Sequence, residues 1–101
     1  MDATAPSTPT PRVQTGHLVM TASVRRWLRT RQHGPTDIAG LLTRHASGDW
    51  GSISAEYAAM NEQAVHSGQL LFSAYDIDDQ TFWVITEADR SVTTVLLPKD
   101  R

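Results

Sequence analysis

Two short polar segments contain the side chains with the potential for catalytic chemistry. His45 and Asp49 flank one predicted turn, and Glu87, Asp89 and Arg90 share a second. If the fold brings the two turns together, one site contains an imidazole, carboxylates and a guanidinium, which is enough for general acid–base catalysis. A small enzyme that uses these five groups is therefore one hypothesis.

The same groups also have ordinary structural explanations. A histidine at a helix C-terminus interacts favourably with the helix dipole, Asp49 can cap a turn, and Arg90 can pair with Glu87 or Asp89. The sequence has no Gly-rich phosphate loop and no nucleophile elbow. It also contains no cysteine, which excludes a thiolate nucleophile and a sulfur-based zinc site. We therefore expect a protein that is not an enzyme and that uses no cofactor or metal.

A third polar segment holds three aspartates, Asp76, Asp78 and Asp79, in a connection predicted over 76–80. Such a cluster resembles the start of a calcium loop. The EF-hand pattern requires a central glycine and a distal glutamate, and this segment has neither. We interpret it as a solvated hairpin turn.

Charge is divided unevenly along the chain. Residues 1–45 contain six arginines and two acidic residues, whereas residues 46–98 contain eight acidic residues and one arginine. The net charge of the whole chain is only −2. A chain with a basic front and an acidic back can bind oppositely charged partners with either half, or can pair the halves internally.

Four arginines cluster on the first predicted helix: Arg25, Arg26, Arg29 and Arg31. They are able to contact phosphates. However, no second helix follows with the polar face of a helix-turn-helix recognition element. A solvated face or internal pairing is the first interpretation, and direct nucleic-acid binding is an alternative.

Length and periodicity define the elements that must position these residues. A chain of 101 residues has room for one core. Residues 1–16 are predicted to be a disordered leader and 17–101 a single α+β domain, with His17–Met20 as an extended entry. The apolar runs are too short for a membrane span, and the N-terminus lacks secretory features, so we expect a cytoplasmic protein.

Helical spacing of apolar residues predicts two to three helices in the first two thirds of the chain. Each begins at a hydroxyl side chain that can cap free backbone N–H groups: Thr21 or Ser23, Thr36, and Ser52 or Ser54. The helices are predicted to end at Gly34, Gly48 and Gly68. The apolar stripe of the third contains Tyr57, Met60, Ala64 and Val65.

Beyond Gly68 the period changes from 3.6 to 2, which predicts strands over 70–75, 81–86 and 92–97. Short turns between them favour antiparallel hairpins. The predicted fold class is therefore α+β, with two to three N-terminal helices packed on a three-stranded antiparallel β-meander. The middle strand is apolar on both faces, so its outer face is expected either to be covered or to form an interface.

Two stretches with distinctive turns, Leu42–Gly51 and Ile85–Pro98, occur here with Asn61 and Leu71–Tyr75 between them. Over 38–98 this combination resembles a family of small proteins encoded on plasmids and other bacterial mobile elements. Its members carry labels such as "plasmid-related protein" or "type I restriction endonuclease subunit M". The second label is not literal, because a methylation subunit needs a cofactor-binding domain and a target-recognition domain, and 101 residues hold neither.

The resemblance implies a genomic setting in which small proteins often inhibit host defence, as anti-CRISPR or anti-restriction inhibitors do. We therefore expect a stoichiometric binding protein whose partner is a protein or nucleoprotein complex of a defence system. Its acidic surface would occupy a nucleic-acid path, and a homodimer is also open. The chain departs from the family pattern at Ser52, where an acid is more usual, and in its arginine-rich N-terminal part. The expected binding residues lie at the predicted turns: Asp49, Trp50, Asp76, Asp78, Asp79, Glu87, Asp89 and Arg90.

Overall fold

The chain folds into three helices and one four-stranded sheet. A computed structural model describes residues 11–31 and 34–101. The elements in chain order are β1 His17–Met20, α1 Ala22–Thr30, α2 Pro35–Ala46, α3 Ala55–Ser67, β2 Leu71–Ile77, β3 Gln80–Thr86, β4 Val92–Leu96 and a 3-10 turn at Pro98–Asp100. The predicted α+β class is confirmed.

The sheet has the strand order β1-β4-β3-β2. The predicted antiparallel meander forms β2, β3 and β4. The prediction of three strands was nevertheless wrong, because β1 pairs in parallel with β4 and makes the sheet mixed. The strands therefore do not all follow the helices. A four-residue segment whose parallel neighbour lies at the other end of the chain carries no local hairpin signal.

The helix boundaries follow the predicted caps in two cases out of three. Thr21 caps α1 and Ser54 caps α3, each through a side-chain oxygen that accepts a backbone N–H bond. The prediction of Thr36 as the cap of α2 was wrong, because Gly34 occupies that position and Pro35 begins the helix. Proline suits the first helical position, where its missing N–H has no intrahelical partner to lose.

The β2–β3 connection is shorter than the predicted segment 76–80. The strands pair as far as Ile77 and Gln80, so only Asp78 and Asp79 form the turn. Asp78 has a φ of +56°, which aspartate tolerates better than most residues. Side chains at the end of a hairpin are solvated, so polar residues can occupy paired positions there. Hydrophobic alternation therefore does not mark the last paired residue of each strand.

Helices α1 and α2 cover one face of the sheet. The core beneath them comprises Val24, Trp27, Leu28, Ile38, Leu41, Tyr75, Phe82, Val84, Val95 and Leu97. The rings of Trp27 and Phe82 meet edge to face, with centroids 4.9 Å apart. Helix α3 instead lies along the outer edge of β2, where the Asn61 amide donates to Phe72 O at 2.6 Å and accepts from Phe72 N at 3.2 Å. This side chain substitutes for a neighbouring strand.

Residues 11–16 belong to the predicted leader but contact the fold. Val13 is buried, and Thr15 O accepts a hydrogen bond from the Thr93 hydroxyl at 2.8 Å. The remainder of the leader prediction, 1–10, lies outside the described residues. Within the described part of the chain, no helix has the length and apolar character needed to cross a membrane.

Candidate functional site

The eight predicted binding residues occupy three separate places in the fold. Asp49 and Trp50 follow α2 and lie beside β2. Asp76 lies near the end of β2 with Asp78 and Asp79 in the adjacent turn, and Glu87 to Arg90 lie at the opposite end of β3. Because β3 has seven residues, its ends are roughly 20 Å apart. The structure therefore does not join these acids into one acidic surface.

Asp49 and Trp50 are both engaged in local structure. The Asp49 carboxylate accepts from Arg44 Nε at 2.7 Å and from Gly51 N at 3.2 Å. The Arg44 hydrogen bond is the main reason that the pKa of Asp49 is lowered. Trp50 is buried, and its Nε1 donates to Glu62 Oε2 at 3.0 Å. Trp50 thus packs inside the fold and does not offer an open contact surface.

Glu62, which the sequence does not single out, joins three parts of the chain. Its carboxylate receives two hydrogen bonds from Arg12, at 2.7 and 3.1 Å, in addition to the Trp50 bond. These bonds, with the Arg12 pair the larger cause, lower the pKa of Glu62 to about 2. The cluster attaches the 11–16 segment to α3 and explains why an arginine from the predicted leader is held in place.

The turn after β3 has a capping role. Arg90 adopts a φ of +63° and donates to Ala64 O at 2.8 Å, Gln69 O at 2.6 Å and Glu87 O at 3.2 Å. Ala64 O belongs to the last turn of α3, where the helix dipole favours a cation, and it also accepts from the backbone N–H groups of Gly68 and Gln69. Hydrogen bonds within its own turn lower the pKa of the Asp89 carboxylate. The Arg90 guanidinium therefore binds backbone oxygens and not the neighbouring carboxylates.

The aspartates of the β2–β3 turn are mostly solvated. Asp76 accepts from the Thr81 hydroxyl at 2.7 Å, and Asp79 lies 3.5 Å from Arg31 with its side chain 80% exposed. In residues 11–31 and 34–101, no three His, Asp or Glu side chains form a group able to hold a metal ion.

A buried polar chain runs through the region where α2 meets the sheet. His45 has no exposed surface; its Nδ1 lies 2.6 Å from Ser73 Oγ and its Nε2 lies 2.8 Å from Thr86 Oγ1. Thr86 Oγ1 is 2.7 Å from Thr93 Oγ1, and Thr93 donates to Thr15 O at 2.8 Å. The chain therefore connects β2, α2, β3, β4 and the segment before β1.

Counting hydrogens assigns the direction of the bonds from Thr15 back to His45. Thr93 has one hydroxyl proton and gives it to a carbonyl, so it must accept from Thr86. Thr86 has then used its own proton and must accept from Nε2–H of His45. The lowered pKa of His45 makes the imidazole neutral at pH 7, so Nδ1 carries no proton and accepts from Ser73.

Burial maintains this neutral state. Desolvation, with a smaller contribution from the positive charge of Arg90, lowers the pKa of His45 to about 4. A serine hydroxyl bonded to histidine is also the arrangement of an activated nucleophile. Here both Ser73 and His45 have no exposed surface, so a substrate has no access to them in this conformation. His45 therefore faces no open cleft that it could share with Asp49, Glu87, Asp89 and Arg90.

Acidification is expected to destabilise the fold through His45. Its pKa is about 4 in the folded state and 6.5 ordinarily, so between these values the unfolded chain binds more protons. Stability is therefore complete above pH 6.5 and decreases as the pH falls towards 4. Urea unfolding should show a loss of about 2 kcal/mol between pH 7 and pH 5.

The pH range distinguishes the contribution of the carboxylates to stability from that of His45. The pKa values of Asp49, Glu62, Asp89 and Asp100 are all lowered, so their contributions are lost only at more acidic pH. A His66→Gln variant, which changes an exposed histidine, should retain the full slope between pH 7 and pH 5. An unfolding free energy that is flat over this interval would contradict a buried, neutral His45.

Large exposed apolar side chains of α3 and of the connection to β2 surround a groove on the sheet face opposite α1 and α2. Tyr57 is 54% exposed, Met60 61% and Leu70 49%. Rings form its aromatic wall: Phe72 meets Tyr57 at 6.0 Å and Trp83 at 5.3 Å between centroids, both edge to face. The groove has a volume of about 620 Å³. We call it the apolar groove; its lining comprises Tyr57, Met60, Asn61, Leu70, Phe72, Trp83, Ile85 and Arg101.

Only part of the predicted apolar stripe of α3 is covered by other elements. Tyr57 and Met60 share the predicted stripe of α3 with Ala64, yet only Ala64 is buried. The physical reason is the position of α3, which lies beside β2 and contacts it through Asn61 and Ala64 instead of covering the sheet face. Helical spacing identifies an apolar stripe but not how much of it another element covers.

Comparison of the chain with known proteins finds no relative. No protein-family model, no curated protein and no solved structure matches the chain. The resemblance to mobile-element proteins therefore remains an expectation, and the function must be argued from the surfaces of the molecule itself.

Proposed function

We propose that this protein is a non-catalytic binding protein that acts stoichiometrically on a protein partner through the apolar groove. The observation that carries this proposal is the exposure of Tyr57, Met60 and Leu70, each about half or more, around one concave surface. Large exposed apolar clusters on soluble domains mark interaction sites. Tyrosine, tryptophan, phenylalanine and methionine are also the residues enriched in protein interfaces.

The lining defines the chemistry of the partner. The groove is bordered by aromatic rings and one methionine, and Arg101 is its only charged lining residue among those described. A protein segment that inserts aliphatic or aromatic side chains would desolvate both surfaces, and a flexible methionine adapts to irregular shapes. Asp76 lies on the same sheet face as Phe72, because alternate residues of β2 share a face. An acidic group is thus placed at one end of this face.

The resemblance implies a mobile-element setting. In that setting the partner is a component of a host defence complex, such as a CRISPR or restriction system. Stoichiometric occupation of that complex would block its nucleic-acid path without chemistry. The buried state of His45 and the capping role of Arg90 support a non-catalytic protein, because both groups are already committed to the fold.

A plasmid-transformation assay in a defence-proficient host tests both parts of the proposal. Cells that express the wild-type chain should accept the challenged plasmid at least tenfold better than cells without it. The double variant Tyr57→Ala/Met60→Asp should lose this protection, because removing two anchors of an interface typically costs more than 2 kcal/mol of binding. Both side chains are exposed, so the fold is expected to remain, which a melting curve checks.

Leu18→Ala is the matched control, since Leu18 is 52% exposed but lies in β1, outside the apolar groove. It should protect like the wild type. If wild-type chain gives no protection in hosts with restriction or CRISPR systems, the proposed inhibitor function is wrong. If protection persists in the double variant, the function stands and the assignment of the surface is wrong.

A further inference from the structure

Three cationic side chains border a small cleft at the end of the molecule where α1 meets the C-terminal 3-10 turn. Arg26 belongs to α1, Arg31 is its C-cap residue and Lys99 belongs to the turn. The hydroxyl of Thr30 and the amide of Gln80 line the same cleft, which has a volume of about 220 Å³. We call it the basic cleft.

Two hydrogen bonds accepted by the Asp100 carboxylate hold the two sides of the basic cleft together. Asp100 Oδ2 accepts from Leu97 N at 2.9 Å and from the Thr21 hydroxyl at 2.7 Å. Thr21 is the N-cap of α1, so this carboxylate attaches the 3-10 turn directly to the helix that carries Arg26. The backbone position of Lys99 relative to α1 is therefore set by the fold.

Few carboxylates neutralise these cations. Arg31 has a long contact of 3.5 Å to Asp79, whose side chain is 80% exposed, and such pairs contribute little. Asp100 interacts electrostatically with Lys99, but its Oδ2 also accepts the hydrogen bond from Leu97 N at the start of the 3-10 turn. Among the described residues, neither Arg26 nor Lys99 forms an ion pair within 4 Å. Positive charge thus remains concentrated in a concave site.

The helix dipole alone does not account for this arrangement. Cations in the last turn of a helix are favoured by its C-terminal carbonyls, which explains Arg29 and Arg31. Arg26 lies in the middle of α1 and Lys99 lies in another element, so neither gains from that end. The dipole of α1 therefore does not explain why Arg26 and Lys99 lie with Arg31 at one cleft.

We propose that the basic cleft binds a phosphate group, carried either by a nucleotide or by a nucleic-acid strand. Guanidinium groups match phosphate oxygens with forked N–H donors, and an ammonium adds a point charge. Three such charges suit the two charges of a phosphomonoester or two successive phosphodiesters of a strand. Gln80 lies at the same place, and its amide Nε2 donates one hydrogen to Thr81 O and keeps a second N–H for a phosphate oxygen. The Thr30 hydroxyl already donates to Trp27 O. This site is separate from the apolar groove and does not depend on the function proposed for it.

Binding is tested with three probes at low salt: a fluorescein-labelled 12-nucleotide single-stranded RNA, adenosine 5′-monophosphate and inorganic phosphate. Fluorescence anisotropy measures RNA binding, and chemical shifts of the Thr30, Gln80 and Lys99 amides follow the small probes. The double variant Arg26→Gln/Lys99→Gln should weaken binding at least tenfold. Its matched control is Arg25→Gln/Arg29→Gln, which removes the same charge from side chains outside the basic cleft and should change affinity by less than twofold.

The possible outcomes distinguish the two sources of phosphate. Binding of RNA alone, with loss in the cleft variant, assigns the site to a strand, whereas binding of the monophosphate with the same loss assigns it to a nucleotide. Equal weakening by both double variants would show unspecific attraction to a basic helix and would overturn the proposal. The absence of binding by all three probes at 50 mM salt would overturn it as well, since phosphate contacts are strongest at low ionic strength.

Discussion

Replacing His45 with alanine is expected to lower the free energy of unfolding by about 3–5 kcal/mol, as much as truncating a large apolar core side chain. The substitution leaves a cavity beside Trp50, whose ring lies 5.8 Å from the imidazole between centroids. It also removes the acceptor of Ser73 and the donor to Thr86, both without exposed surface. Urea unfolding at pH 7, where His45 is neutral, measures the loss directly.

The size of this effect follows from the burial of the whole chain of hydroxyls. A solvated hydroxyl that loses its partner bonds to water instead. A buried hydroxyl that loses its partner has no water to replace it, which costs about 1–3 kcal/mol of stability for each group. A domain of this length is typically stable by only about 5–15 kcal/mol, so His45→Ala should be close to unfolding at 37 °C.

Two variants control the interpretation. His66→Ala, at an exposed position of α3, should change stability by less than about 0.5 kcal/mol. Thr86→Val should cost more than Thr86→Ser, because only serine keeps the hydroxyl that connects His45 to Thr93. A His45→Ala variant that unfolds within 1 kcal/mol of the wild type would show that the buried polar chain does not stabilise the fold.

Substituting Gly51 with alanine is expected to destabilise the protein by at least about 3 kcal/mol, or to prevent folding. Gly51 has a φ of +78°, and a Cβ there would lie 1.9 Å from Ala74 O and 2.7 Å from Tyr75 Cδ1. The segment cannot move away easily, because Ser52 N donates to Ala74 O at 2.8 Å and Ala74 N donates to Trp50 O at 3.3 Å. The nearest atom in the way is a backbone oxygen, which cannot rotate aside as the end of a flexible side chain can.

Gly40→Ala provides the matched control in α2. No atom lies within 4 Å of the Cβ position at Gly40, so alanine should raise stability by about 1 kcal/mol through its helix propensity. Thermal and urea unfolding of the two variants should therefore move in opposite directions. Wild-type stability of Gly51→Ala would mean that the pairing between Gly51 and β2 is not as close as described.

Several features of this fold can be predicted from local sequence because their causes are local. Thr21 and Ser54 cap helices with their own side chains, and Gly68 ends α3 with a φ of +72°. Alternation in the last third predicts the meander of β2, β3 and β4, since a short connection leaves two strands little choice but to pair antiparallel. Each of these rests on interactions between residues close in the chain.

The two polar turns were also identified from the sequence, but as candidate sites. His45 was predicted to lie at the end of a helix, and α2 does end at Ala46. Its role, however, depends on Ser73 and Thr86, which reach it only through sheet pairing. Arg90 likewise depends on the C-terminal carbonyls of α3, which are more than twenty residues away. No spacing rule connects such partners.

By itself, the sequence determined the α+β class, the caps of α1 and α3, the meander and the division of charge between a basic front and an acidic back. Tertiary structure alone decided that β1 joins β4 in parallel, that His45 reaches Ser73 and Thr86, and that Tyr57 and Met60 are exposed. It also decided that Arg26 and Lys99, from opposite ends of the chain, meet at one cleft. The physical reason is common to all four: burial and charge convergence depend on contacts between distant residues, whereas caps, turns and alternation depend on near neighbours.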